Sequence, residues 1–149
     1  MDKIIHCKAT VNGGLSKAFA MFTQSSGITE WLAVGAEVEP FVGGRYELFW
    51  DIHNREVNST IGCKVTAIEE NEMLCFEWKG PVQFAECMNA AAPLTHVAVF
   101  FAPRGEGATA IHLVHTGWGK SEQWEEARNW FEAVWGKALK KLEDVMRNG

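Results

Sequence analysis

Positive charge is scarce in this chain, and so are proline, tyrosine and long apolar runs. Fourteen Lys and Arg stand against nineteen Asp and Glu, a net charge of −5 at pH 7. An acidic surface repels phosphate backbones, so nucleic acid is not an expected partner, nor is an anionic membrane. No segment approaches the ~20 apolar residues of a membrane span. Met1-Asp2-Lys3-Ile4 also lacks the apolar run of a signal peptide. The expectation is a cytoplasmic protein without membrane insertion.

Cysteine is sparse too. Cys7, Cys63, Cys75 and Cys87 are far apart and form no CxxC pair. Disulfide frameworks belong to shorter secreted chains, so the thiols are expected to be reduced. His6, His53, His96, His112 and His115 are scattered, and His112 and His115 fall on opposite faces of one strand. A zinc site needs clustered ligands, so no metal and no cofactor is expected. There is no G-x-S-x-G nucleophile elbow and no phosphate-binding loop. The run from Gly105 to Ala110 matches G-x-G-x-x-A, but a strand follows it where a dinucleotide site needs a helix.

What the chain does have is rings: seven Trp and nine Phe beside one Tyr. Large rings dominate cores and interfaces, and a buried indole N–H needs a partner. The length of 149 residues gives about one domain, expected to span 1–149.

Residues 4–11 alternate as a strand. Leu15, Ala18, Phe19 and Phe22 then share one face of a short helix, and Ile28 to Leu32 add a further turn carrying Trp31. Strands are expected over 37–41, 45–52, 60–68, 73–79, 95–102 and 108–118. Their short connections imply an antiparallel meander. An insert, 80–94, places Phe84, Cys87, Met88 and Ala91 at helical spacing between Pro81 and Pro93. Last comes a long helix with Ser121 as N-cap. Its apolar stripe runs through Trp124, Ala127, Phe131, Val134, Ala138, Leu142 and Val145, widened by Trp130, Trp135 and Leu139. The fold class is α+β: a curved antiparallel sheet of about six to seven strands around that helix.

Val42-Gly43-Gly44-Arg45-Tyr46, Leu74-Cys75-Phe76-Glu77-Trp78, His115-Thr116-Gly117-Trp118, and Trp135 with Leu139 and Leu142 stand in an order covering nearly the whole chain. In that order they resemble the START-like (SRPBCC) superfamily, in its branch of heat-shock protein 90 ATPase activator homologues. The resemblance implies the helix-grip fold and a cavity between sheet and helix. It does not name an occupant, because one scaffold serves carriers, cyclases, hydrolases, hormone receptors and co-chaperone domains. The eukaryotic co-chaperone has a further N-terminal domain that supplies much of its chaperone contact. None precedes Met1 in this sequence, so the family name is not taken as an activity.

Strand alternation assigns a candidate wall of Tyr46, Leu48, Trp50, Phe76, Trp78, Val99, Phe101, Leu113 and His115. Leu74, Val97 and Ile111 share that face, and Trp31, Phe131, Val134 and Trp135 close it. Apolar walls with few polar groups suit a small apolar molecule, although the same rings could pack solid. His115 is the candidate polar anchor, or the acid or base if the protein is an enzyme; a core histidine bonded to a backbone carbonyl is the alternative. Phe84, Cys87 and Met88 are the expected lid or partner-binding surface. Three functions stay open: a non-enzymatic carrier or sensor of a hydrophobic or aromatic ligand, a cyclase or hydrolase using a cavity histidine, and a co-chaperone-like protein-binding module. The chain is expected as a monomer or homodimer.

Overall fold

The computed structural model describes residues 3–147. Strand β1 (Ile5–Asn12) is followed by helices α1 (Leu15–Thr23) and α2 (Ser25–Trp31). Strands β2 (Gly35–Val38), β3 (Tyr46–Phe49), β4 (Val65–Glu69) and β5 (Met73–Trp78) come next. A 3-10 turn (Val82–Phe84) runs into the short helix α3 (Ala85–Met88). Strands β6 (Thr95–Pro103) and β7 (Ala108–Thr116) and helix α4 (Glu122–Met146) complete the chain.

The strands divide into a five-stranded antiparallel sheet, β1-β7-β6-β5-β4, and a two-stranded sheet, β2-β3. One continuous sheet was the expectation, and irregular bonds explain the difference. Tyr46 N donates to Cys63 O and Thr60 N to Leu48 O, both at 2.9 Å. The Thr60 hydroxyl accepts from Leu48 N at 2.8 Å and donates to Tyr46 O at 3.0 Å. A threonine side chain thus takes the place of a ladder rung, and the strand expected over 60–68 becomes a turn through Gly62 followed by β4. The Gly43-Gly44 pair turns the chain into β3: Gly43 sits at φ +87°, and a side chain on Gly44 would fall on Glu39 O.

The alternating strands bury one face. Ile111, Leu113 and His115 of β7, Val97 and Val99 of β6, and Leu74 and Phe76 of β5 are at most 1% exposed. Against the β6–β7 end, α1 drives in Phe19 and Phe22, whose rings lie 5.3 and 5.4 Å from Phe101. Helix α4 starts where expected, since Ser121 Oγ accepts from Trp124 N at 3.3 Å. Its fully buried line is Ala127, Phe131, Trp135, Leu139, Leu142 and Met146. The line expected through Val134, Ala138 and Val145 is only half-buried, and Trp130 is exposed at 36%. The helix has therefore rolled about one residue position, toward the face that carries Trp135. Its far end is held to β1 where Thr10 N donates to Glu143 Oε2 at 2.9 Å and Asn12 Nδ2 to Arg147 O at 3.1 Å.

The insert is shorter in helix than its spacing implies and faces the other way. Phe84 and Met88 are buried, Phe84 against the Trp130 ring at 5.7 Å and Met88 beneath Gly80, where a Cβ would meet its sulfur at 2.6 Å. Cys87 is half-buried and points its thiol at Phe84 O. These three residues anchor the insert, so the apolar surface expected on them is not exposed.

Candidate functional site

A cavity of about 340 Å³ opens beside α4, where β3 and β5 end and the insert begins. Trp130, Phe131, Val134, Trp135 and Ala138 form its α4 wall. Trp50, Trp78 and Leu32 form the wall opposite, and Asn58, Ser59, Lys79, Gly80, Pro81 and Gln83 line the rest. At ~30 Å³ per molecule the space would hold roughly eleven waters, which places it at the small end of ligand pockets.

Of the expected wall, Trp50, Trp78, Phe131 and Trp135 line this cavity, together with Val134. Trp31, Tyr46, Leu48, Phe76, Val99, Phe101, Leu113 and His115 do not; all are 5% exposed or less and belong to a filled core. Alternation identified the inward face of each strand, but not where along that face the rings run out. Missed were Leu32, Asn58, Ser59, Lys79, Gly80, Pro81, Gln83, Trp130 and Ala138. Two signals pointed toward some of them: Trp130 broadens the helical stripe, and Lys79-Gly80-Pro81 ends β5 where a hairpin would continue.

His115 sits behind the cavity wall, not on it. Its Nδ1 accepts from Trp135 Nε1 at 3.0 Å, so the ring proton lies on Nε2, which donates to Thr95 Oγ1 at 3.0 Å. Both ring nitrogens are spent, and on side chains, not on a backbone carbonyl. Burial, aided by the nearby His96, pushes its pKa down to about 3. A protonated ring would also aim an Nδ1–H at the Trp135 N–H. The imidazole is thus a neutral acceptor that fixes the Trp135 indole, and it has no free nitrogen to offer a substrate. Tyr46 is equally occupied: its hydroxyl donates to Phe22 O at 2.8 Å, its ring stacks on Phe76 at 3.8 Å, and burial raises its pKa.

Indole donors set the cavity's geometry. Trp50 Nε1 donates to Leu32 O at 2.9 Å, holding that ring at 5.9 Å from Trp78, which in turn lies 5.1 Å from Trp135. Trp78 Nε1 is buried and has no hydrogen-bond partner, a property it shares only with Arg128 Nε among the described side-chain nitrogens and oxygens. Lys79 is half-buried, and its ammonium donates to Ile61 O at 2.7 Å. Asn58 Oδ1 accepts from Val82 N at 2.8 Å and ties the insert to the loop over the cavity.

No chemical machinery gathers here. Asp51 caps its own loop by accepting from His53 N and Asn54 N, and Glu86 is exposed on α3. Among the described residues, no three His, Cys, Asp or Glu side chains come together as a metal site. The four thiols are unpaired, and burial pushes Cys63 up to about 12 against the opposing pull of Lys79. Among the described residues, no helix is long and apolar enough to cross a membrane.

Comparison with known proteins bears on the fold first. The chain superposes on a protein from Mesorhizobium loti with a TM-score of 0.73 at 19% identity, covering 98% of each chain. The Aha1 dimer from Colwellia psychrerythraea gives 0.70 at 17% identity, covering 97% of this chain and 96% of that one. An HSP90 activator from Plasmodium falciparum gives 0.70 at 21%, covering 95% and 94%. At such identities the likeness establishes the helix-grip fold alone. No curated protein sequence gives a significant match. A family model does match, over residues 14–147. This chain belongs to the family of Activator of Hsp90 ATPase homolog 1-like proteins.

Proposed function

We propose that the protein binds a small hydrophobic or aromatic molecule in the cavity beside α4, as a carrier or sensor and not as a catalyst. The observation that carries this reading is the cavity itself, a space of about 340 Å³ walled by four indoles and Phe131 and lined by no acidic residue. Apolar burial is worth ~25 cal/mol per Å², so a fragment-sized ring could reach micromolar affinity with few polar contacts. The insert, tied down through Asn58 and Phe84, serves as the lid over the opening.

The test is a library of small hydrophobic compounds, read by tryptophan fluorescence and by melting temperature. Hits should quench the emission, raise the melting temperature, and lose both effects in Ala138→Phe, whose ring projects into the cavity. A library without hits, or hits that bind Ala138→Phe unchanged, would sink the reading.

A co-chaperone-type role is the second reading, and the family match favours it. It is measured directly as the ATPase rate of a purified Hsp90-type chaperone with and without the protein. A rate that does not change removes it.

A further inference from the structure

We infer that the outward face of the five-stranded sheet docks a second copy of this chain, with a twofold axis running along the middle strand, β6. This face lies on the other side of the sheet from the core, so the inference stands apart from the cavity reading.

Strand register carries it. Residues that alternate with the buried set of β6 and β7 point outward. One row of them crosses all five strands as Lys8, His112, Phe100, Met73 and Glu69, each opposite the next. Phe100, at the centre of the row, is 43% exposed. Lys8 and Glu69, at its two ends, are exposed, and among the described residues neither makes an ion pair. The neighbouring row is His6, Val114, Ala98, Cys75 and Ala67. The solvent side of an antiparallel sheet is ordinarily polar. Here four of five positions are small and apolar, a flat bed beside the Phe100 ring.

Strand β6 is the third of five, so a half-turn about it lays β1 of one copy over β4 of the other, and β7 over β5. The first row then meets itself reversed. Lys8 faces the second copy's Glu69, Glu69 faces its Lys8, and the two Phe100 rings meet on the axis. In the neighbouring row Val114 faces Cys75. The row is thus its own complement in charge and in apolar character, which is what a twofold interface requires. Packed sheets keep their strands within about 30° of one another, so the pairing survives sheet twist. Strands of five to nine residues, at ~3.4 Å per residue and ~4.8 Å between strands, give a face of about 600 Å². The pair would bury about 1,200 Å², where specific interfaces begin, so the dimer is a weak one.

The experiment is sedimentation of the full chain from about 1 μM to about 500 μM, where the mass should double with a Kd in the micromolar range. Phe100→Asp sets two carboxylates against each other on the axis and should be monomeric throughout. Lys8→Glu or Glu69→Lys alone places like charges opposite each other twice, and each should weaken the dimer about tenfold or more. The two together should return it to within about threefold of the native Kd. Within one chain these residues are four strand spacings apart, about 19 Å, so the rescue arises only between copies. A chain that stays monomeric at the highest concentration would overturn the inference. So would a dimer indifferent to Phe100→Asp, or a double variant no tighter than the single ones. Melting curves show that each variant is folded before it is sedimented.

Discussion

Along one surface of α4 the protein packs in two different ways. Along β1, to which Thr10 and Asn12 hold it, the helix buries Leu139, Leu142 and Met146 in a core that rings from α1 and α2 help to fill. Phe19 and Phe22 brace Phe101, and Trp31 lies 4.9 Å from Phe22 with its N–H on Met21 O. Where the same helix passes the ends of β3 and β5, its Trp130, Val134 and Ala138 face a cavity. Only the end of α2, through Leu32, and the 3-10 turn of the insert, through Gln83, border that end. Strand β3 stops at Phe49, the loop through Asn58 borders the cavity, and the insert buries Phe84 and Met88 within itself. Apolar walls are common to both regions. What differs is whether a second element supplies side chains to fill the space between them.

Trp135 stands on the boundary, in the cavity wall on one side and bonded to His115 on the other. Removing it is the severest way to break the comparison. Trp135→Ala should cost about 4–5 kcal/mol from the lost ring and the enlarged void, and the orphaned imidazole acceptor adds to that. A chemical denaturation midpoint measures it. A cost below about 2 kcal/mol would show that the two regions are not joined through this residue.

The pH dependence of stability sharpens the same boundary. His115 titrates near 6.5 when unfolded and near 3 when folded. Between those values the unfolded chain binds the extra proton. The native contribution is complete above pH ~6.5 and is lost as the pH falls toward 3, at no more than about 1.4 kcal/mol per unit. Exposed Glu39 and Glu125, whose pKa values are lowered by bonds to Arg45 and Arg128, lose stability in the same direction at lower pH. Comparison with His115→Gln isolates the histidine: the variant's stability should fall less steeply from pH 6.5 to 4.5. Parallel curves would refute the neutral, buried imidazole.

A smaller effect separates the two regions on one helix. Ala127 is fully buried on the packed side, and Ala138 lines the cavity. Ala127→Phe should cost about 1–3 kcal/mol by overpacking. Ala138→Phe should cost under about 1 kcal/mol, because its ring has somewhere to go. Equal losses in the two would mean that the cavity closes up in solution.

Much of this was legible in the residues. Period-two alternation in β6 and β7 identified Val97, Val99, Leu113 and His115 as inward-facing, and all four are fully buried. Ser121 and the acidic turns after it marked the start of α4, and the resemblance carried by four motifs agrees with the family match over 14–147. The candidate site was read less well. Local pattern says which side of a strand is apolar, but every inward residue looks alike from that standpoint, whether its neighbour across the gap is a ring or empty space. Lys79, Asn58 and Trp130 come together from three segments far apart in sequence, and no short-range pattern relates them.

By itself the sequence determined the elements, their order and the faces they bury, because those follow from hydrophobic period, turn chemistry and capping within a few residues. Tertiary structure alone decided the rest. It made His115 a structural acceptor instead of a ligand's anchor, because an indole happened to cross its Nδ1. It put Trp135 in the fully buried line of α4 and left Val134 half-buried on the cavity. It left the cavity at the end where no helix supplies a filling ring, since packing is settled by which surfaces meet and not by what any one of them contains.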